Sequence, residues 1–330
     1  MPGGRPMQAV VVEEGGGLSF GEYPDPRPGA GGVVVELRAA AVNRRDLLVR
    51  DPPDANYEFP KPFVPGLDGA GIRRDTGEEV VIYPAVGWGD REEAAAPEMR
   101  FLGGAVDGTY AELIAVPEEN VLPKPRRMSF VEAATLPVAG LTAHRALFEV
   151  GRVQRGDTVL VLGAGSGVAT FLVALAAEAG ARVFVTSRSA EKIERAQALG
   201  ALGGVLYTED DWPAAFRELA GPAHVVVDHV GTTWMESLRC LDRGGRLVAF
   251  GGTGGGHATI DVRFLYLNWR SILGTTLGSP REFAAFLHAA ESASWSPVVD
   301  SVRPLAEAEA AQERLRAGEH FGKVALEIGG

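Results

Sequence analysis

Cysteine is nearly absent: one residue, Cys240, in a chain of 330. That excludes an intramolecular disulfide and any cysteine-rich zinc site. It also fits a reducing compartment, so a cytoplasmic protein is expected. Positive charge is short too, with 32 Lys and Arg against 43 Asp and Glu, a formal net charge of −11. This balance argues against a general nucleic-acid binder and against a protein of anionic membrane surfaces. A local basic pocket remains compatible with it. No run of about 18 apolar residues occurs, so no membrane span is expected. The opening MPGGRPMQAVVVEEGGG carries no apolar core long enough for a signal peptide.

What is present suits a globular chain of two domains: 46% hydrophobic and 23% charged residues over 330 positions. The 43 glycines and 21 prolines are spread among strand-like segments, which implies tight turns rather than disorder. No repeat or low-complexity tract appears. Up to residue 124 the pattern is mostly β, with runs at Gln8–Val12, Val33–Ala41, Glu79–Tyr83 and Tyr110–Val116. Ser129 and Glu132 form a capping-box pattern that predicts a helix to about Val150. From Asp157 the pattern alternates. Strands are predicted at 158–162, 182–186, 224–228, 246–250 and 271–276, and helices at 168–179, 189–199, 211–220 and 232–241. That alternation implies a parallel sheet with helices on both faces. Beyond Ser279 the chain is predicted to return to β and rejoin the first domain. The expected division is 1–124 with 280–330, and 125–279.

The stretch 157–192 holds the most informative motif. A buried-strand pattern, Thr158–Leu162, runs into Gly163, Ala164, Gly165, Ser166, Gly167 and Val168, and then an Ala-rich helix. Such a turn offers backbone N–H groups and a helix N-terminus to an anion, commonly a dinucleotide pyrophosphate. The spacing is irregular, because Val168 stands where Gly or Ala is usual. Read from Ala164, with Ser166 and Ala169, small residues hold all three positions. Packing alone is the competing account of such a loop.

At the end of the next strand, a cofactor with a free ribose 2′-OH usually meets an acid. Here Ser187, Arg188 and Lys192 stand instead, with Glu191 further on. Hydroxyls and cations suit a 2′-phosphate, so NADP(H) is favoured. The alternative is two ordinary surface charges at a helix start.

Eight motifs, in order, resemble the medium-chain dehydrogenase/reductase superfamily: AAAVNRRDLL (39–48), VPGLDGAG (64–71), DGTYAEL (107–113), EAATLPVAGLTAHRAL (132–147), GAGSGV (163–168), VVVDHVG (225–231), GGRLVAFGG (244–252) and FGKVAL (321–326). The resemblance spans nearly the whole chain. It implies a GroES-like β-rich catalytic domain completed by the C-terminus, a Rossmann doubly wound parallel sheet, and a cleft between them. Many relatives are zinc alcohol dehydrogenases, with a catalytic Cys at the position of Asn43 and a His at that of Leu67. Neither substitute is a sound zinc ligand. The segment 87–103, where relatives place four structural cysteines, has none. The chain therefore resembles the zinc-independent, quinone-oxidoreductase-like branch, and also bacterial alcohol dehydrogenases with their ligands lost.

By that resemblance, Asn43, Asp46, Tyr57 and Thr142 lie around nicotinamide and substrate. Turn closure, helix capping and loop packing are the competing roles for the first three. The expected cofactor set adds Tyr207 near the 2′-phosphate, then His229, Val230, Phe250, Gly251, Gly252 and Leu277. For His229 a structural hydrogen-bonding role competes; for Tyr207, core packing does. The reaction expected is hydride transfer to a small carbonyl or quinone substrate, such as an activated enone or enal. An alcohol or aldehyde dehydrogenase, or a non-catalytic NADP(H)-binding protein, are the alternatives. The resemblance also implies a homodimer, with Asp261–Ile272 apolar enough to serve it.

Overall fold

Valine-rich segments build the two large sheets of the computed structural model, which describes residues 6–329. Residues 1–5, where the N-terminal stretch discussed above begins, and Gly330 lie outside the described residues. The chain forms two units. One takes the described residues up to Val138, then Ser279–Ala293 and Val299 onward; the other takes Ala139–Gly278 and Ser294–Val298.

The first unit is the β-rich one. Its main sheet runs in the order Val299–Pro304, Lys323–Glu327, Gly32–Ala41, Asp68–Arg73, Glu79–Ile82, Val121–Pro123. Leu113–Pro117 also pairs with Gly32–Ala41, and Met7–Val12 pairs with Leu18–Tyr23. Alternate residues from Val33 to Ala39 are buried, the pattern of a strand with one core face, and Ala40 and Ala41 are buried too. Its apolar core joins Val35, Leu37, Ile82, Tyr110, Val324 and Leu326.

Register matters most at one end of this sheet. Ala325 faces Ala41 on one side, and Ala41 faces Asp68 on the other. Continuing the first pairing two residues sets Lys323 beside Asn43. Three polar residues, far apart in sequence, thus converge at one sheet end. The strand Asp68–Arg73 is not among the β runs of the sequence pattern, since Gly69 and Gly71 interrupt its apolar residues. Glycine is required there: a Cβ on Gly71 would lie 2.2 Å from the Glu36 carbonyl oxygen.

The second unit is a parallel six-stranded sheet, ordered Gly203–Leu206, Arg182–Ser187, Thr158–Val161, Ala223–Asp228, Leu241–Ala249, Ser271–Gly274. This is the doubly wound dinucleotide-binding order. The strand predicted at 246–250 starts earlier, straight from the helix Trp234–Cys240. Cys240 is buried within that helix end, and burial pushes its thiol up to about 12, so it is inert at neutral pH. Near the edge strand, Val262, Tyr266, Leu267 and Trp269 are exposed.

The single helix predicted from Ser129 is instead broken. Ser129 and Glu132 do cap Phe130–Ala134. Wider π-type turns follow at Leu136–Gly140 and Arg145–Val150, around Leu141–His144. Pro137 explains the break: it has no N–H to donate and its ring crowds the carbonyl one turn back. No helix among the described residues is long and apolar enough to cross a membrane.

Candidate functional site

In the second unit, strand Thr158–Val161 delivers the chain into the glycine loop. Gly163 takes φ +74°, and a Cβ there would meet His229 Cε1 at 2.7 Å. The loop is anchored by Ala164 N–H donating to the Thr186 carbonyl at 2.9 Å and Gly163 N–H donating to Thr186 Oγ1 at 3.3 Å. Ser166 caps the helix Gly167–Glu178, its hydroxyl accepting from Ala169 N–H at 3.1 Å. The first N–H groups of that helix, on Gly167 and Val168, have no acceptor within it. Together with the helix dipole they form a site for an anion. Val168 causes no difficulty, because it is already the helix's second residue while Ala164 and Ala169 are the buried small positions.

One strand over, Ser187, Arg188, Lys192 and Tyr207 share a corner. Ser187 is buried, and its hydroxyl accepts from Ser189 N–H at 3.1 Å. Ser189 in turn caps the helix Ala190–Gln197 through Lys192 N–H. Tyr207 N–H donates to the Ser187 carbonyl at 3.0 Å, and both Tyr207 and Arg188 are exposed.

At the end of Ala223–Asp228, buried Asp228 accepts from Val230 N–H (2.7 Å), Gly231 N–H (3.3 Å), Thr233 Oγ1 (2.8 Å) and Ser237 Oγ (2.7 Å). Those four bonds fix the turn that carries His229. The imidazole stacks on Phe250 at 5.6 Å, nearly parallel. Burial lowers its pKa, so it stands neutral at pH 7. Phe250 leads into Gly251 and Gly252, which are exposed backbone. Leu277 is buried at φ +50°, a conformation that branched residues adopt only under constraint. No sequence signal announces that strain. Thr142, buried in Leu141–His144, belongs to the same unit.

In the first unit, Asn43 begins the helix Arg44–Arg50. Its side chain is fully engaged: Nδ2 donates to the Ala41 carbonyl (3.2 Å) and to Asp68 Oδ2 (2.9 Å), and Oδ1 accepts from Lys323 Nζ at 2.7 Å. This geometry makes Asn43 a holder of neighbours. Lys323 Nζ also donates to Asp68 Oδ2 (2.8 Å) and the Val42 carbonyl (2.9 Å). Asp68 Oδ1 accepts from Val138 N–H at 2.8 Å. Neither Asp68 nor Lys323 was singled out from sequence, although both lie inside quoted motifs. Tyr57 packs on the cluster of Val12, Val49 and Phe63.

Asp46 lies behind this group. Its Oδ2 accepts from Asn43 N–H (2.8 Å) and Tyr110 Oη (2.9 Å), while its buried Oδ1 has no partner. Burial outweighs those bonds and raises its pKa to about 6, with Lys323 pulling down and Asp68 pushing up. Its folded pKa therefore exceeds the unfolded one. The native state keeps a proton that the unfolded state loses, so stability falls as pH rises from about 4 to 6 and then levels off. Asp46→Asn keeps an oxygen for both donors. Its expected unfolding free energy matches the parent's at pH 4 and exceeds it at pH 7.5 by on the order of 2 kcal/mol, read as a higher thermal midpoint at pH 7.5 only. A gap equal at both pH values would refute this account.

The donor set fits a dinucleotide and does not fit zinc. The anion-ready helix start and the cationic corner suit a cofactor's phosphates. At the zinc position of the resembled family, Leu67 offers no lone pair, and Lys323 already takes Asn43 Oδ1 and Asp68 Oδ2. No cluster of three or more potential metal ligands exists among the described residues.

Comparison with known proteins agrees with the fold. Residues 167–292 match the zinc-binding dehydrogenase family profile, and residues 29–126 match the alcohol dehydrogenase GroES-like domain. A zinc-type alcohol dehydrogenase-like protein of Schizosaccharomyces pombe is 34% identical, over 98% of this chain and 99% of its own. A Mus musculus quinone oxidoreductase is 29% identical, over 98% of each. A crystal structure of an NAD-dependent alcohol dehydrogenase superposes with a TM-score of 0.91 at 36% identity, covering 98% of this chain and all of that one.

Proposed function

We propose that this chain, which belongs to the medium-chain dehydrogenase/reductase superfamily of nicotinamide-dependent oxidoreductases, is an NADPH-dependent reductase that works without zinc on a quinone or an activated enone or enal. The observation that carries this reading is the Lys323–Asp68–Asn43 network, with Leu67 beside it, at the place where relatives hold their Lewis acid.

The chemistry a bound nicotinamide supplies is hydride transfer. The chain's own residues do the rest. Backbone N–H groups at the start of Gly167–Glu178 bind the pyrophosphate. Arg188 and Lys192, with Ser187 and Tyr207 at the same corner, hold the 2′-phosphate. Gly251 and Gly252 let backbone approach the nicotinamide closely, and the neutral His229 offers a hydrogen bond there without a charge. The hydroxyl of Thr142, in the same unit as the glycine loop, is assigned to the acceptor's oxygen. With no metal to polarise a carbonyl, an acceptor that is already electron-poor is favoured. Quinones and conjugated enones meet that need; simple alcohols and aldehydes meet it poorly.

A second reading, an alcohol or aldehyde dehydrogenase using NAD(H), is favoured by the names of the similar proteins above. One assay separates the two. After chelator treatment, oxidation of NADPH and of NADH is measured with quinones, enals and aldehydes. The expected result is turnover with NADPH and a quinone or enal. Clear NADH preference, or activity that returns only with added zinc, would sink the first reading. Tight cofactor binding without turnover on any acceptor would point to a binding protein.

A further inference from the structure

Lys323 is a buried lysine with every donor used. Its side chain is 4% exposed, and the Asp68 side chain it faces is fully buried. Three oxygens surround the ammonium: Val42 O at 2.9 Å, Asn43 Oδ1 at 2.7 Å and Asp68 Oδ2 at 2.8 Å. An ammonium has three N–H groups, so its valences are filled. The ammonium pairs directly with one carboxylate, Asp68, while the neighbouring Asp46 takes its hydrogen bonds from Asn43 N–H and Tyr110 Oη instead. Two of the three acceptors belong to residues that flank the metal position of the resembled family, Asn43 at it and Asp68 next to Leu67. A divalent ion there would need lone pairs that the lysine already occupies, and would bring a second cation within contact of the first.

We propose that Lys323 is the resident cation of this domain: its ammonium takes the place between Asp68 and Asn43 that a divalent metal would require, and by doing so excludes zinc and positions Asn43. The inference rests on the metal-free reading of the site and explains how the chain enforces it. Losing the two ligands at 43 and 67 is then not the whole reason zinc is shut out. Restoring both, by Asn43→Cys with Leu67→His, leaves the lysine in place and the site closed. Only when the lysine also goes does Asp68 become a free third ligand beside a Cys and a His, a set that suits tetrahedral zinc with one water.

The test is zinc content per chain, after incubation with zinc and dialysis, together with the thermal midpoint with and without zinc. Four full-length proteins are compared: the parent, Asn43→Cys/Leu67→His, and that pair with Lys323→Met or with Lys323→Gln. The two replacements at 323 run in parallel so that the result does not hang on one variant's solubility, and all are expressed with zinc in the medium. Expected are about one zinc per chain and a zinc-dependent rise in midpoint for a triple variant, and below about 0.1 zinc for the parent and the double variant. Equal zinc in the double and triple variants would overturn the proposal, since the lysine would then exclude nothing. So would triple variants that fail to accumulate or take up no zinc, while a zinc-free parent leaves the metal-free reading standing. A parent that binds one zinc would overturn both.

Discussion

Replacing Lys323 with methionine is expected to cost about 3–5 kcal/mol of stability and to lower the thermal midpoint by roughly 10 °C. Methionine matches the lysine stem in volume, so packing changes little. What changes is charge. The Asp68 carboxylate is left fully buried with hydrogen bonds from Val138 N–H and Asn43 Nδ2 but no cation. Asn43 Oδ1 also loses its donor. A buried charge stripped of its partner is far worse than no charge at all. The companion variant Lys323→Met/Asp68→Asn, neutral on both sides, should therefore recover most of the loss. The two changes would couple strongly, as contacting partners do. Because the chain has two units, one midpoint is an incomplete readout. Hydrogen exchange along Lys323–Glu327 supplies the local one: protection should fall in the single variant and return in the double. A single variant within about 1 kcal/mol of the parent, or a double variant no better than the single, would show that the pair is not a buried charge couple.

That pair marks the limit of what the chain discloses as text. The doubly wound unit was readable where strands such as Thr158–Val161 and Ala223–Asp228 are short apolar runs and helices start at capping residues such as Ser166 and Ser189. Alternation implied a parallel sheet but not its order, and the edge strand Gly203–Leu206, half glycine, is not among the strands predicted from sequence. The β-rich unit was harder, since most of its main-sheet pairings are antiparallel and join distant segments, such as Lys323–Glu327 with Gly32–Ala41. Strand Asp68–Arg73 hid behind two glycines whose small size is what admits the neighbouring backbone. The break after Ala134 was written in Pro137, but the Ser129 cap drew the helix onward. Asn43 was legible as a position and illegible as a role, because its partners sit 25 and 280 residues away. Only the register Ala325 to Ala41 to Asp68 brings them together. Leu277 at φ +50° is invisible by the same logic, since nothing in a leucine's neighbours demands that conformation.

The strand end beyond Arg182–Ser187 gives the second large effect. Removing both cations there, Arg188→Ala with Lys192→Ala, is expected to raise the KM for NADPH about 100-fold, the scale of one to two charge-assisted bonds of about 1.5–3 kcal/mol each. Full burial would make the effect larger, but Arg188 is exposed and Lys192 only half-buried, so solvent screens part of it. NADH offers no 2′-phosphate, and its KM should hardly move. Turnover at saturating NADPH should persist, because neither side chain is placed at the transferred hydride. A rise in ionic strength should weaken NADPH binding in the parent and not in the variant, since screening acts only on charges that are there. The outcome that would sink the assignment is a parallel loss for both cofactors. Such a loss would mean that the two residues serve the helix start at Ser189, whose hydroxyl already holds Lys192 N–H, and that the missing acid at Ser187 selects nothing.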